Sequence, residues 1–156
     1  MCLLYGWGKR GEPLVQRVPA RRGKNLSVLG AIDQEGVIAF TSKEGAMKRA
    51  DVERFFKRDL LPALLPGSVV VLDNASIHKG GTIQKIVERA GCKLLYLPPY
   101  SPDLNPIEPV WSVVKRQVRR EGPREEAARL ASVHTGMESV TPKLAEDCFR
   151  HCGYCQ

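Results

Sequence analysis

Ser68-Val69-Val70-Val71-Leu72-Asp73-Asn74 is the stretch that decides how this chain folds. Val69–Leu72 is continuously apolar and mostly β-branched, whereas a strand with one wet face alternates. The run predicts a strand buried on both faces, as in a parallel sheet covered by helices. Asp73 stands at its C-terminal end, where open α/β sheets gather their ligands. Asp73-Asn74 is also a natural start for an Asx-type turn, so position alone leaves both roles open.

Working outward, Thr82–Ala90 has helical periodicity and closes on Gly91, and Lys93–Leu97 is a second short strand. Pro98-Pro99-Tyr100-Ser101-Pro102 then forces an extended loop. A further helix starts near Asn105-Pro106 and runs through Trp111, Val114 and Val118 to about Arg120. At its start, Asn105 suits the N-cap, Pro106 the first helical position and Glu108 a capping box. Glu108 is equally a carboxylate held on a rigid first turn. Two carboxylates on different rigid elements, Asp73 and Glu108, can share a divalent cation of the hard, oxygen-seeking kind. Two such ions about 4 Å apart activate an attacking oxygen and stabilise the leaving one in phosphodiester cleavage.

Upstream, Asp51–Leu65 is an amphipathic helix carrying Val52, Phe55, Phe56, Leu60, Ala63 and Leu64, and Pro66-Gly67 ends it. Leu26–Ile32 and Val37–Phe40 flank the turn Asp33-Gln34-Glu35-Gly36 as a hairpin. Residues 1–25 form an irregular arm, in which Lys9, Arg10, Arg17, Arg21, Arg22 and Lys24 oppose only Glu12. One or two more helices fill the C-terminal tail, 123–156. A hairpin followed by βαβ units predicts an α/β fold: a mixed sheet flanked by helices.

The 156 residues fit one domain. With 43% hydrophobic and 26% charged residues, bulk disorder, a collagen-like chain and a coiled coil are excluded. No apolar run approaches the ~18 residues of a membrane span, and Met1–Trp7 lacks the basic front of a signal peptide. Five cysteines, an odd number, fit a reduced cytoplasmic setting. Cys148, His151, Cys152 and Cys155 crowd the tail but lack a distant second ligand pair, so an incidental cluster competes with zinc. Twenty-four Lys and Arg against 17 Asp and Glu give +7, which favours a polyanionic partner.

Longer blocks carry a resemblance. Val69-Val70-Val71-Leu72-Asp73-Asn74-Ala75-Ser76-Ile77-His78-Lys79 resembles the second catalytic block of DDE-superfamily transposases. Leu94-Leu95-Tyr96-Leu97-Pro98-Pro99-Tyr100-Ser101-Pro102-Asp103-Leu104-Asn105-Pro106-Ile107-Glu108-Pro109-Val110-Trp111 resembles the third. The 34 residues between Asp73 and Glu108 match the mariner-related bacterial insertion-sequence branch. Gly6–Pro13, Leu26–Ile32 and the tail around Phe149–Tyr154 also look like that family.

The resemblance implies a ribonuclease-H-like fold and an acidic triad holding two Mg²⁺ or Mn²⁺. It implies hydrolysis of phosphodiesters at transposon ends, then attack of the 3′ hydroxyl on target DNA. Asp73 matches the second triad member and Glu108 the third. Asn74, His78 and Asn105 match supporting positions, where a local turn role competes with orienting Asp73 or touching DNA. The family's first Asp lies on a strand before Gly6-Trp7-Gly8, and no acidic residue here precedes Glu12. Asp33, Glu12 and Glu35 are poor substitutes, since the Asp33 turn belongs at the sheet end away from the groove.

The sheet is therefore expected to lack its central first strand, and the chain to be inactive alone. Either an upstream transposase chain supplies the first Asp, or the sequence is a decaying fragment. DNA is the expected partner and a homodimer the expected assembly, in the cytoplasm and off the membrane. Lys9, Arg10, Arg21, Arg22 and Lys24, with the stripe Lys115, Arg116, Arg119 and Arg120, would contact phosphates. For the stripe, a solvated helix face is an equal alternative. Tyr100 and Trp111 could stack on a base, although Trp111 also suits a core anchor. A noncatalytic nucleic-acid-binding module is the competing function.

Overall fold

Two antiparallel strands come first among the elements of the computed structural model, which describes residues 10, 25–79, 81–123 and 125–154. Strand β1, Leu26–Asp33, pairs with β2, Gly36–Glu44, from Leu26 against Glu44 to Asp33 against Gly36. The Asp33 carboxylate accepts from the Glu35 and Gly36 N–H groups at 2.8 and 3.0 Å and so builds the turn. The register shifts between Ala31 and Ile32, which leaves Ile38 as the extra residue of a bulge. Ile38 and Ala39 therefore both face one core, while Val37 and Phe40 face another.

Helix α1, Arg49–Phe55, continues into a π turn over Phe56–Leu60 and a 3₁₀ turn over Leu61–Ala63. The single helix expected over Asp51–Leu65 is thus one continuous rod of three pitches. The wider turn keeps Phe55, Phe56 and Leu60 all buried. Strand β3, Val69–Leu72, connects through α2, Thr82–Arg89, to β4, Lys93–Tyr96, and the two strands pair in parallel from Val69–Lys93 to Leu72–Tyr96. Helices α3, Ile107–Glu121, α4, Glu126–Glu138, and α5, Pro142–His151, complete the described chain.

Two cores hold these elements. The first joins Val52, Phe55, Phe56 and Leu60 to Val70, Ile83 and Val87, with Leu29 and Ala31 of β1 packed against them. The second joins Val110 and Val114 of α3 to Val133, Met137, Ala145 and Cys148, against Val28 and Ile32 of β1. The hairpin is covered on both faces; the β3–β4 pair is covered on one. Val70 is buried, but Val69 and Leu95 are 52% and 57% exposed. Burial of β3 on both faces is corrected here: the helices of the second core sit over the hairpin and do not extend across β3.

Among the described residues the strands make two separate two-stranded sheets, β1–β2 and β3–β4, rather than one continuous ladder. The second edges of β1 and β3 carry no described strand, although both strands lean on the first core. At Gly30 a Cβ would stand 3.1 Å from both the Trp111 ring and the Met137 methyl. A strand position without a side chain lets the indole lie on the backbone. Trp111 is thereby the anchor that fixes α3 against β1, which removes it as a free stacking surface.

Candidate active site

Asp73 leaves β3 at the C-terminal end of the parallel pair. Its Oδ1 accepts from the Ala75 N–H at 3.0 Å, the Asx turn that the sequence suggests. The same oxygen meets His78 Nδ1 at 2.6 Å. A carboxylate only accepts, so His78 donates through Nδ1–H. His78 is buried, and among the described residues its Nε2 has no hydrogen-bond partner. The Tyr96 hydroxyl donates to the His78 carbonyl at 2.9 Å, tying the end of β4 to the turn that carries the imidazole. Asp73 is thus held through one oxygen by a buried, braced ring, while its side chain remains 47% exposed.

Glu108 is delivered from the end of β4. The Leu97 N–H donates to the Leu72 carbonyl at 2.8 Å and closes the parallel ladder at the residue before Asp73. The chain then passes Tyr100, held at φ 58° and fully exposed, and a 3₁₀ turn at Pro102–Leu104. The capping box expected at Asn105 does not form. The helix boundary is Pro106, no side chain caps it, and the Glu108 N–H donates to the Asn105 backbone carbonyl at 3.0 Å. Glu108 therefore occupies the second helical position, exposed and not engaged in capping, where the helix dipole favours a negative charge. Glu108 and Trp111 lie three residues apart on one helix face, so the anchor over Gly30 also sets the direction of Glu108.

The other candidates fall as follows. Asn74 and Asn105 are half-buried, the first in the turn after Asp73 and the second closing the 3₁₀ turn through its N–H. Lys115, Arg116, Arg119 and Arg120 are exposed along α3, and Arg10 is exposed. Lys9, Arg21, Arg22 and Lys24, with most of the 1–25 arm, lie outside the described residues. Asp33 is committed to its own turn. Cys148 is buried on α5 and Cys152 at its C-cap, and burial pushes both thiols above their ordinary value. Among the described residues no group of three His, Cys, Asp or Glu gathers as for a metal ion. Two contacts had no sequence signal: Tyr96 to His78, and Tyr154 to the loop before Glu108. Both join a side chain to a distant backbone carbonyl, which carries no residue identity.

Residues 1–130 match the DDE superfamily endonucleases. The chain belongs to this family. Its fold is that of the Mos1 mariner transposase catalytic domain, with a TM-score of 0.73 at 17% identity over 83% of this chain and 69% of that one. A Mos1 transposase paired-end complex with the left transposon end gives a TM-score of 0.73 at 19% identity, over 95% of this chain and 46% of that one. A Mos1 mariner paired-end complex with Mn gives a TM-score of 0.73 at 18% identity, over 94% and 46%. This endonuclease-family chain thus has the ribonuclease-H-like fold and spans about half the length of the full Mos1 chains. No curated protein matches its sequence. None of its described helices is long and apolar enough to cross a membrane.

Proposed function

We propose that this chain is part of the catalytic core of a transposase, and that Asp73 and Glu108 are two of the three carboxylates that cut DNA. The observation that carries the reading is the His78–Asp73 pair: a half-exposed carboxylate at the end of a parallel strand, fixed at 2.6 Å by a buried ring. In a DDE superfamily endonuclease, that is the position of a metal-holding acid.

The donor set suits Mg²⁺ or Mn²⁺. Both carboxylates offer hard oxygens, both are solvent-accessible, and such ions bind through one or two carboxylates with water and substrate phosphate completing the shell. A bound divalent cation supplies charge neutralisation on the scissile phosphate and a more acidic water. His78 keeps Oδ1 of Asp73 occupied and the carboxylate in one orientation. The rigid first turn of α3 holds Glu108 without a competing cap. Lys115, Arg116, Arg119 and Arg120, exposed on the same helix, draw the phosphate backbone along it.

In this reading the third acid is supplied from outside residues 1–156, by upstream sequence or a separate chain, on a strand seated against the second edges of β1 and β3. Residues 1–156 alone then bind DNA without cutting it, in the cytoplasm and as a homodimer. A purely DNA-binding module is the second reading, favoured by the exposed α3 stripe, which needs no metal.

The test is nicking of labelled duplex DNA with Mg²⁺ or Mn²⁺, by residues 1–156 and by a protein extended with the residues encoded upstream. We expect no cleavage by the short form. We expect cleavage and tighter calorimetric Mg²⁺ binding by the extended one, with cleavage abolished in Asp73→Ala and Glu108→Ala. Cleavage by the short form, lost in both variants, would overturn the need for a third acid. Cleavage that survives both would overturn the site itself, and binding without cleavage by either form would favour the module.

A further inference from the structure

The chain's last described residue reaches back to the loop that delivers Glu108. The Tyr154 hydroxyl donates to the Leu104 carbonyl at 2.8 Å, across fifty residues of sequence. Leu104 ends the 3₁₀ turn, whose own bonds are Leu104 N–H to Ser101 at 3.2 Å and Asn105 N–H to Pro102 at 3.1 Å. Both lie toward the long end of the ordinary range, and the Leu104 carbonyl takes its tie from outside the turn.

The tie comes from a rigid frame. Helix α5 closes with Gly153 at φ 82°, its N–H on the Arg150 carbonyl, and with the Tyr154 N–H on the Phe149 carbonyl, each at 3.0 Å. That pair of bonds is a Schellman closure, and the Phe149–Tyr154 ring contact at 5.8 Å is its usual apolar partner. Ala145 and Cys148 bury α5 in the second core, beside Val110 and Val114 of α3. Partial desolvation, with a smaller contribution from Cys152, raises the Tyr154 phenol above its ordinary value of 10, although the residue is 43% exposed.

We propose that Tyr154 is a positioning residue for Glu108: its hydroxyl pins the Pro102–Leu104 turn and thereby the first turn of α3. The inference rests on the reading of Glu108 as a cation-holding carboxylate. It makes the C-terminal tail part of the site's support rather than an appendage.

The test uses Tyr154→Phe in the full chain, which keeps the ring on Phe149 and removes only the hydroxyl. Residue-resolved amide exchange at Leu104, Asn105 and Glu108 is expected to quicken about three- to tenfold, the scale of one net hydrogen bond. Titrated Mn²⁺ line broadening is expected to show affinity weakened about three- to fivefold in Tyr154→Phe, with no further loss when Glu108→Gln is already present. The melting temperature should fall by no more than about 5 °C, the scale of one net hydrogen bond, as the ring's packing is retained. Unchanged exchange would overturn the pin. Faster exchange with unchanged Mn²⁺ affinity, while Glu108→Gln alone weakens it, would overturn the positioning role. If Glu108→Gln alone has no effect, the reading of the site fails and the positioning role with it, while exchange still reports on the pin.

Discussion

His78 shows what a single side chain contributes to a site made of acids. Its Nδ1–H occupies one oxygen of Asp73 at 2.6 Å, and Tyr96 braces its carbonyl at 2.9 Å. An unbraced carboxylate on a turn samples several rotamers, and each must be given up when an ion binds. Removing the partner of a ligating group typically weakens metal binding about tenfold or more. His78→Ala is therefore expected to lower Mn²⁺ affinity by about tenfold in a line-broadening titration. His78→Asn, which keeps a donor near Nδ1, should recover most of that loss. Equal affinity in wild type and His78→Ala would leave His78 a turn residue only. That His78 belongs near Asp73 was legible from the block Asp73–His78, but the bond was not. The five-residue spacing suits a turn, a helix start or a loop, and only the closed turn brings the two together.

At the scale of elements, α3 does two jobs with one periodicity. Val110 and Val114 face the second core, Trp111 lies on Gly30, and the exposed side carries Lys115, Arg116, Arg119 and Arg120. Such a stripe positions DNA without reading its sequence. Replacing Lys115, Arg116 and Arg120 by Ala should weaken binding to two unrelated duplexes equally. The same change should reduce the slope of log affinity against log salt by about two to three, near one per phosphate contact. An unchanged slope in fluorescence anisotropy would return the stripe to a solvated helix face. Most elements were legible, because apolar periodicity reports burial directly. The exceptions have physical causes. The Phe56–Leu60 turn widens because two adjacent phenylalanines must both reach the core, which strict 3.6-residue periodicity does not foresee. The exposed face of β3 was missed because its sequence is apolar throughout while helices cover only one side.

The whole molecule is a ribonuclease-H-like frame in two sheets that share a core, with one candidate acid delivered from each strand of the parallel pair. The fold class could be read from the strand–acid–helix order, and the sequence blocks agreed with the endonuclease family that matches residues 1–130. Links made late in the fold, such as Tyr154 to Leu104, could not, since they depend on how α5 docks. The central claim is that Asp73 and Glu108 hold one divalent ion between them. Paramagnetic broadening on adding Mn²⁺ to the isotope-labelled chain tests it directly. Broadening is expected to appear together at Asp73–Asn74 and Ile107–Glu108, to weaken in parallel at both places in either Asp73→Asn or Glu108→Gln, and to persist unchanged in Asp33→Asn. Broadening that leaves these two segments sharp, or that one variant removes from its own segment alone, would contradict it.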